Sequence, residues 1–259
     1  MLLPFALVIP STRGLSLALT RNLLCNTSHN VYASHRSQSP DTVKAEILSP
    51  LKNVDPSRLH MLHVDLTSES SIEQASHTLS DSVGRLSDDA YLHTAFYTGG
   101  ILHPERQPDD LDLNNITSTF QINVIAHLLL IKHFSRFLPK AQLELPTPAK
   151  WVHVSARVGS ISDNKTGGWY SYRASKAALN QVVKTFDFHL QMKKYNAICV
   201  GVHPGTMKTD LSREFWKGVP KEKLFEPAFA ADKLVDVVEN LKTEQRGHIW
   251  DWAGKEVQW

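Results

Sequence analysis

The sequence predicts an α/β fold, with residues 1–259 forming one domain around a doubly wound, seven-stranded parallel sheet. Three observations carry this. Short apolar runs rich in Val, Ile, Tyr and Trp alternate with longer stretches of helical period, the order of a parallel sheet covered by helices. The composition is globular, with 42% hydrophobic and 21% charged residues. No low-complexity tract, internal repeat or linker divides the chain, and one-domain α/β folds reach this length.

The strands are expected at 5–9, 30–35, 59–64, 90–96, 150–155, 197–203 and 247–251. The first apolar run, Leu2 to Ile9, has neither a basic segment before it nor a small-residue cleavage site after it, so it reads as a buried strand rather than a signal-peptide core. Between strands, Phe120, Val124, Leu128 and Ile131 recur at helical spacing, as do Leu179, Val182, Val183, Phe186 and Leu190, and both stripes are expected to face the core. The Pro-containing stretch 49–56 reads as a surface connection. One segment, 211–229, breaks the strand-helix rhythm and carries Phe215, Trp216 and Phe225. Ligands of such sheets sit beyond the carboxyl ends of the strands, so this segment is expected to be a substrate lid.

The formal net charge is +2 with both signs dispersed, which points away from nucleic acid. Cys25 and Cys199 are far apart and lack paired-ligand spacing, fitting reduced thiols and a cytoplasmic setting. No apolar run has the length of a membrane span. The thirteen histidines are scattered without ligand spacing, so no metal is expected. No Gly-x-Ser-x-Gly elbow supports a hydrolase.

The chemistry-bearing residues gather around Tyr172 and Lys176, which stand at i and i+4 near the start of a predicted helix and so share one face. A nearby ammonium favours phenolate and makes Tyr172 a candidate proton donor or acceptor. The spacing alone is common; its context is a strand ending at Val154-Ser155 and the small residues Ala174, Ser175, Ala177 and Ala178, which permit close approach. Near the N-terminus a strand runs through Pro10-Ser11-Thr12-Arg13-Gly14-Leu15-Ser16 into a helix, where free amides and the positive dipole end suit a dinucleotide phosphate. That is the turn of a Rossmann fold, although only one glycine is present. Arg36 follows the second strand, where an acidic residue would hold a ribose diol and an Arg would accept a 2′-phosphate, so NADP(H) is expected over NAD(H).

In this order, Tyr172 to Asn180, Gly159-Ser160-Ile161, Ile122-Asn123-Val124 and Pro204-Gly205 with Thr209 resemble the short-chain dehydrogenase/reductase family. The likeness covers nearly the whole chain and lies closest to the small carbonyl-reductase branch related to the C-factor and Sniffer proteins. The resemblance implies Tyr172 as acid/base, Lys176 as the group that binds nicotinamide ribose and tunes the tyrosine, and Asn123 as holder of a relay water. It implies cofactor contacts from Ser11, Arg13, Gly14, Leu15, Arg36, Asp65, Gly100, Pro204, Gly205 and Thr209. It also implies a homodimer or homotetramer and a small carbonyl or alcohol substrate, which the aromatic lid makes apolar.

Three departures stand against this pattern. Pro10 and Ser16 replace the first and third glycines of the phosphate turn, leaving weakened binding and a rearranged turn both open. The family's Asn-Asn-Ala-Gly reads Tyr97-Thr98-Gly99-Gly100, so its side-chain hydrogen bonds must be supplied differently. Ala156 stands where the substrate-orienting serine belongs, with Ser155 and Ser160 as replacements and Ser155 the nearer. Losing one such donor costs on the order of 10² to 10³ in rate if nothing substitutes. Two functions follow: an NADP(H)-dependent oxidoreductase interconverting carbonyl and alcohol, or a catalytically weak dinucleotide-binding regulatory or partner protein of the same fold.

Overall fold

The computed structural model describes residues 2–87, 89–140 and 143–259. In chain order the strands are β1 (Leu3–Ile9), β2 (Asn30–His35), β3 (Leu59–His63), β4 (Ala90–Tyr97), β5 (Ala149–Val154), β6 (Ala197–His203), β7 (Thr206–Met207), β8 (Leu224–Phe225), β9 (Ile249–Asp251) and β10 (Glu256–Val257). The main sheet runs β3-β2-β1-β4-β5-β6-β9-β10. Its first seven members are parallel and β10 returns antiparallel to β9. The seven expected strands are therefore present, and the expectation of a sheet of seven is corrected by an eighth. At two residues, β10 is too short to show a period. β7 and β8 form a small parallel ribbon of their own.

Among the described residues, seven α-helices cover the sheet: α1 (Gly14–Asn26), α2 (Pro40–Leu48), α3 (Glu69–Leu86), α4 (Leu113–Phe120), α5 (Ala126–Phe134), α6 (Tyr170–Met192) and α7 (Pro227–Asn240). Strand side chains alternate in direction, so each strand feeds two cores. Phe5, Leu7 and Ile9 pack with α3, α5 and α6, whereas Ala6 and Val8 pack with α1, α2 and α7. Each fully buried Leu, Ile or Phe contributes about 1.5–3 kcal/mol relative to exposure. None of the helices among the described residues is long and apolar enough to cross a membrane.

The two expected stripes fare differently. On α6, Leu179, Val183, Phe186 and Leu190 are buried, with Val182 at the margin. The other stripe is broken: Val124 is buried but Leu128 is 47% exposed. The buried face lies one position beside the expected stripe already in α4, where Thr119 is buried and Phe120 only half-buried, and a π-helical turn at Gln121–Ile125 joins α4 to α5. The buried face of α5 passes through Ala126, His127, Leu130 and Phe134. The same turn carries Asn123.

The strand order reverses between β1 and β4, which opens a crevice at the carboxyl ends of the strands. Ser68 caps α3 and Asp112 caps α4 through side-chain oxygens. The first turn of α1, which faces the crevice, has neither a side-chain cap nor an acidic residue.

Candidate active site

A cleft of about 870 Å³ lies in this crevice. It is bounded by the β1–α1 turn, the loop after β4, the end of β5, the start of α6 and the segment following β6. Tyr172 and Lys176 project into it from α6, one turn apart. The Tyr172 hydroxyl has no hydrogen-bond partner among the described residues, and Lys176 Nζ donates to the Val154 carbonyl at 2.9 Å. The ammonium lies 5.8 Å from the Tyr172 ring centroid. Burial pushes the phenol up to about 12 and the ammonium down to about 8. The expected lowering of the tyrosine by its lysine is thus outweighed, because desolvation penalises phenolate and ammonium alike. In the protein as it stands, burial keeps Tyr172 as the protonated phenol.

Asn123 is fully buried and serves as a clamp. Its Oδ1 accepts from Ile101 N at 2.8 Å, while Nδ2 donates to Ile101 O and Ser175 Oγ, each at 3.0 Å. Ser175 Oγ donates in turn to the Tyr172 carbonyl at 2.8 Å. The π turn thereby ties the loop after β4 to the helix bearing Tyr172. Gly100 sits inside this joint: an added Cβ would lie 3.4 Å from Lys176 Nζ.

Neither replacement serine offers a free proton to the cleft. Ser155 lines it, but its hydroxyl donates to Asn180 Oδ1 at 2.6 Å. Ser160 is not among the cleft-lining residues. Ser162 Oγ spends its proton on the Trp259 carbonyl, so at the 3.3 Å Ser160–Ser162 contact Ser160 is the donor. The expectation that Ser155 stands in for the displaced serine is therefore not met by this geometry. Ala156 presents a methyl to the cleft instead.

The cofactor half fits a dinucleotide. Gly14 has φ +54°, and an added Cβ would lie 3.1 Å from Thr209 Cγ2, so this turn needs glycine. The uncapped α1 amides beside Arg13, Gly14 and Leu15 open toward the cleft. Pro10 lines it after a cis Ile9–Pro10 bond, and Ser16 turns its hydroxyl back onto the Arg13 carbonyl at 2.7 Å. The serine is thus absorbed inside the first turn. Pro204, Gly205 and Thr209 line the far wall. Ser11 departs from its expected place: it is fully buried, donating to Val8 O at 2.5 Å and accepting from Ser34 N at 2.9 Å, a brace between β1 and β2. Arg36 is exposed and, like Asp65, lies outside the cleft lining. Asp65 Oδ1 accepts from both Thr67 N and Thr67 Oγ1, and these bonds, with a smaller contribution from Arg36, hold its carboxyl below the usual range.

Gly205, at φ +77°, lies under the Phe225 ring, and an added Cβ would come within 2.6 Å of it. Gly205→Ala is expected to cost about 1–3 kcal/mol through this clash and the positive φ. A thermal melt would show the loss as a fall of several degrees.

The segment expected as a lid divides in two. Asp210–Gly218 forms 3₁₀ turns beside the cleft, whereas residues 227–229 already belong to α7. Phe215 packs on Trp169 with centroids 4.7 Å apart, and Trp169 meets the Tyr172 ring edge-on at 6.2 Å. The nearby cations are occupied: Arg157 pairs with Asp163 and Asp251, Lys208 with Glu226, and Arg213 with Asp210. This half of the cleft therefore offers aromatic and aliphatic surface.

Sequence reasoning missed four contributors. Buried Glu105 receives Ser171 N on Oε2 at 2.8 Å and Trp169 N on its carbonyl at 2.6 Å, fixing the entry into α6. Asn180 restrains Ser155. His127 and His153 lie behind the Gly99 carbonyl. No local motif announces any of them. His127 shares the buried helix face of Thr119 and Asn123, one position beside the apolar stripe.

The doubly wound sheet, the uncapped phosphate turn and the buried Tyr172–Lys176 pair define a protein of the dinucleotide-binding oxidoreductase class. The profile described as short chain dehydrogenase matches residues 4–219, and the chain belongs to that family of oxidoreductases. It is 31% identical over 254 residues to the 1-hydroxy-2-glutathionyl-2-methyl-3-butene dehydrogenase of Rhodococcus sp. strain AD45, covering 98% of both chains. Over 150 residues it is 31% identical to the C-signal protein of Myxococcus xanthus, spanning 58% of this chain and 82% of that one. In fold it resembles NADPH-bound carbonyl reductase from chicken fatty liver, with TM-score 0.84, 24% identity and full coverage of both chains. The carbonyl reductase Sniffer of D. melanogaster gives TM-score 0.82 at 22% identity, over 99% of this chain and all of that one.

Proposed function

We propose that this protein is an NADP(H)-dependent reductase of small apolar aldehydes or ketones, with Tyr172 as the proton donor. The observation that carries the reading is the Tyr172 hydroxyl, unpartnered at the cleft wall and held protonated by burial one turn from Lys176. When bound, the nicotinamide supplies the hydride. Tyr172 Oη passes its proton to the carbonyl oxygen as negative charge develops there. Lys176 keeps two N–H donors beyond its bond to Val154 O and would hold the ribose hydroxyls. Asn123 keeps the 99–101 loop and α6 in register.

Arg13 in the phosphate turn, Arg36 directly after β2 and the lack of an Asp or Glu at that position in the sequence favour the 2′-phosphate of NADP(H). The NADPH-bound state of the chicken carbonyl reductase agrees with this choice. The aromatic surface of Trp169 and Phe215 favours an apolar substrate. The Rhodococcus relative is named as a dehydrogenase, the reverse direction, which the same pair of side chains serves. Exposed Leu128 and Phe188, on α5 and α6, support packing against a second copy. We place the protein in the cytoplasm on its unpaired cysteines.

Titration with NADPH and NADH, followed by NADPH consumption across aldehydes, ketones and diketones, tests the reading. Tighter NADPH binding with turnover supports it. Binding without turnover favours a regulatory dinucleotide-binding protein, and no binding removes both.

Lys176 adds a pH signature. Its ammonium loses charge near pH 8 in the free protein, so NADPH affinity is expected to fall as pH rises through 8 and to level off in Lys176→Met. Stability moves the other way. Between about 8 and the unfolded value near 10.4, the unfolded chain binds the extra proton, so this group makes unfolding harder as pH rises. Fluorescence titrations and melts from pH 7 to 10, wild type against Lys176→Met, check both signs.

A further inference from the structure

The loop after β4 borders the cleft and is clamped on one side by Asn123. On the other side it is held by a chain of aromatic N–H groups inside the core. Trp151 Nε1 lies 2.9 Å from His153 Nε2, His153 Nδ1 lies 2.8 Å from His127 Nδ1, and His127 Nε2 lies 3.0 Å from the Gly99 carbonyl. All three side chains are essentially removed from solvent.

The chemistry of the two ends fixes every proton between them. An indole N–H only donates and a carbonyl oxygen only accepts. His153 Nε2 must therefore be bare and His153 must carry its proton on Nδ1. That proton points at His127 Nδ1, which must also be bare, leaving the His127 proton on Nε2, aimed at Gly99. Three donors meet three acceptors with none left over. A positive charge on His153 would set its Nε2–H against the indole N–H. One on His127 would leave His153 no proton at all. Burial and the Lys176 ammonium agree, lowering both rings and His127 to about 3.

The held loop abuts the catalytic groups. A Cβ on Gly100 would lie 3.4 Å from Lys176 Nζ and 3.7 Å from Asn123 Oδ1, so a small displacement of this loop would be felt at the lysine. A Cβ on Gly99 would meet Leu66 Cδ1 at 2.7 Å, closing the other side. The family's asparagines are missing here, and a hydrogen bond to the loop's backbone comes from an imidazole instead.

We propose that His127 is a positioning residue, locked in its Nε2–H tautomer by His153 and Trp151, that holds the Gly99-Gly100-Ile101 backbone in its cofactor-ready place. The cofactor part of this inference rests on the dinucleotide reading given above, whereas the tautomer part does not.

The first test is a long-range ¹H–¹⁵N correlation spectrum of wild-type protein labelled at histidine. The expected pattern is His153 as Nδ1–H and His127 as Nε2–H, both neutral from about pH 5.5 to 8.5, a range in which free histidine would titrate. The opposite tautomer at either ring, or a cationic ring at neutral pH, overturns the chain. The second test compares His127→Phe with His127→Gln, whose amide can both accept from His153 and donate to Gly99. His127→Phe is expected to speed hydrogen exchange at the Ile101 amide and to weaken NADPH binding, each by about tenfold, with His127→Gln restoring most of both. A folded His127→Phe with wild-type exchange and NADPH affinity overturns the positioning role. Should that variant not fold, the wild-type spectrum still decides. If wild type binds no nucleotide, the dinucleotide reading fails, while the spectrum and amide exchange still judge the chain and its hold on the loop.

Discussion

Tyr172→Phe is expected to lower carbonyl turnover by about 10² to 10⁴-fold, the range of a lost general acid. The ring fills the same volume, so the edge-on contact with Trp169 and the fold around α6 remain. Because the Tyr172 hydroxyl bonds no protein group among the described residues, its removal strands no partner and NADPH affinity should stay within about twofold. The loss should thus fall on kcat rather than on cofactor binding, the signature of an interaction made in the transition state. Stopped-flow reduction and a NADPH titration separate the two. Turnover surviving intact in this variant would remove Tyr172 from the chemistry.

Ala156→Ser is expected to raise kcat/KM for carbonyl reduction by about 10 to 10²-fold, less than the full value of an oxyanion donor because the site did not evolve around it. Among the described residues, no cleft-lining serine keeps a free proton for this role. Ser155 gives its proton to Asn180, and Ser160 gives its own to Ser162. Ala156 lines the cleft beside them with only a methyl group. A hydroxyl there would add a second donor to the developing alkoxide, next to Tyr172. Ser155→Ala provides the contrast: it should cost about 1 kcal/mol of stability through the lost Asn180 bond and change turnover by less than about threefold. A folded Ala156→Ser with unchanged kcat/KM, or a Ser155→Ala that loses most of its activity, would show that Ser155 rotates into service after all.

Both predictions depend on features that were unevenly legible. The seven parallel strands could be located because each is buried on both faces and so reads as a continuous apolar run. β10 and the β7–β8 ribbon were not, because two-residue strands carry no period. The Tyr172–Lys176 pair could be read because both members lie on one helix, where sequence spacing is spatial spacing. Arg13 and Gly14 could be read for the same reason, since one turn holds them.

What resisted reading was every contact made across elements. The stripe through Leu128 pointed one position away from the buried face, which runs through Thr119, Asn123, His127, Leu130 and Phe134 and carries polar residues that hydropathy does not mark as core. Ser11 and Ser155 carried the right hydroxyls, but their partners, Ser34 and Asn180, lie 23 and 25 residues away. The fate of the Ser155 proton is thus a matter of three-dimensional distance, whereas Ser11 gives its own to Val8, three residues back, and only accepts from Ser34.

The sequence by itself determined the α/β class, the parallel order and the residues able to give a proton or meet a phosphate, because these follow from local period and side-chain chemistry. Only the tertiary structure decided which hydroxyls remain free, which histidines lie in the core and whether the Tyr172 phenol is pushed up or down. Burial and hydrogen-bond partners settle those, and both are properties of the packed chain.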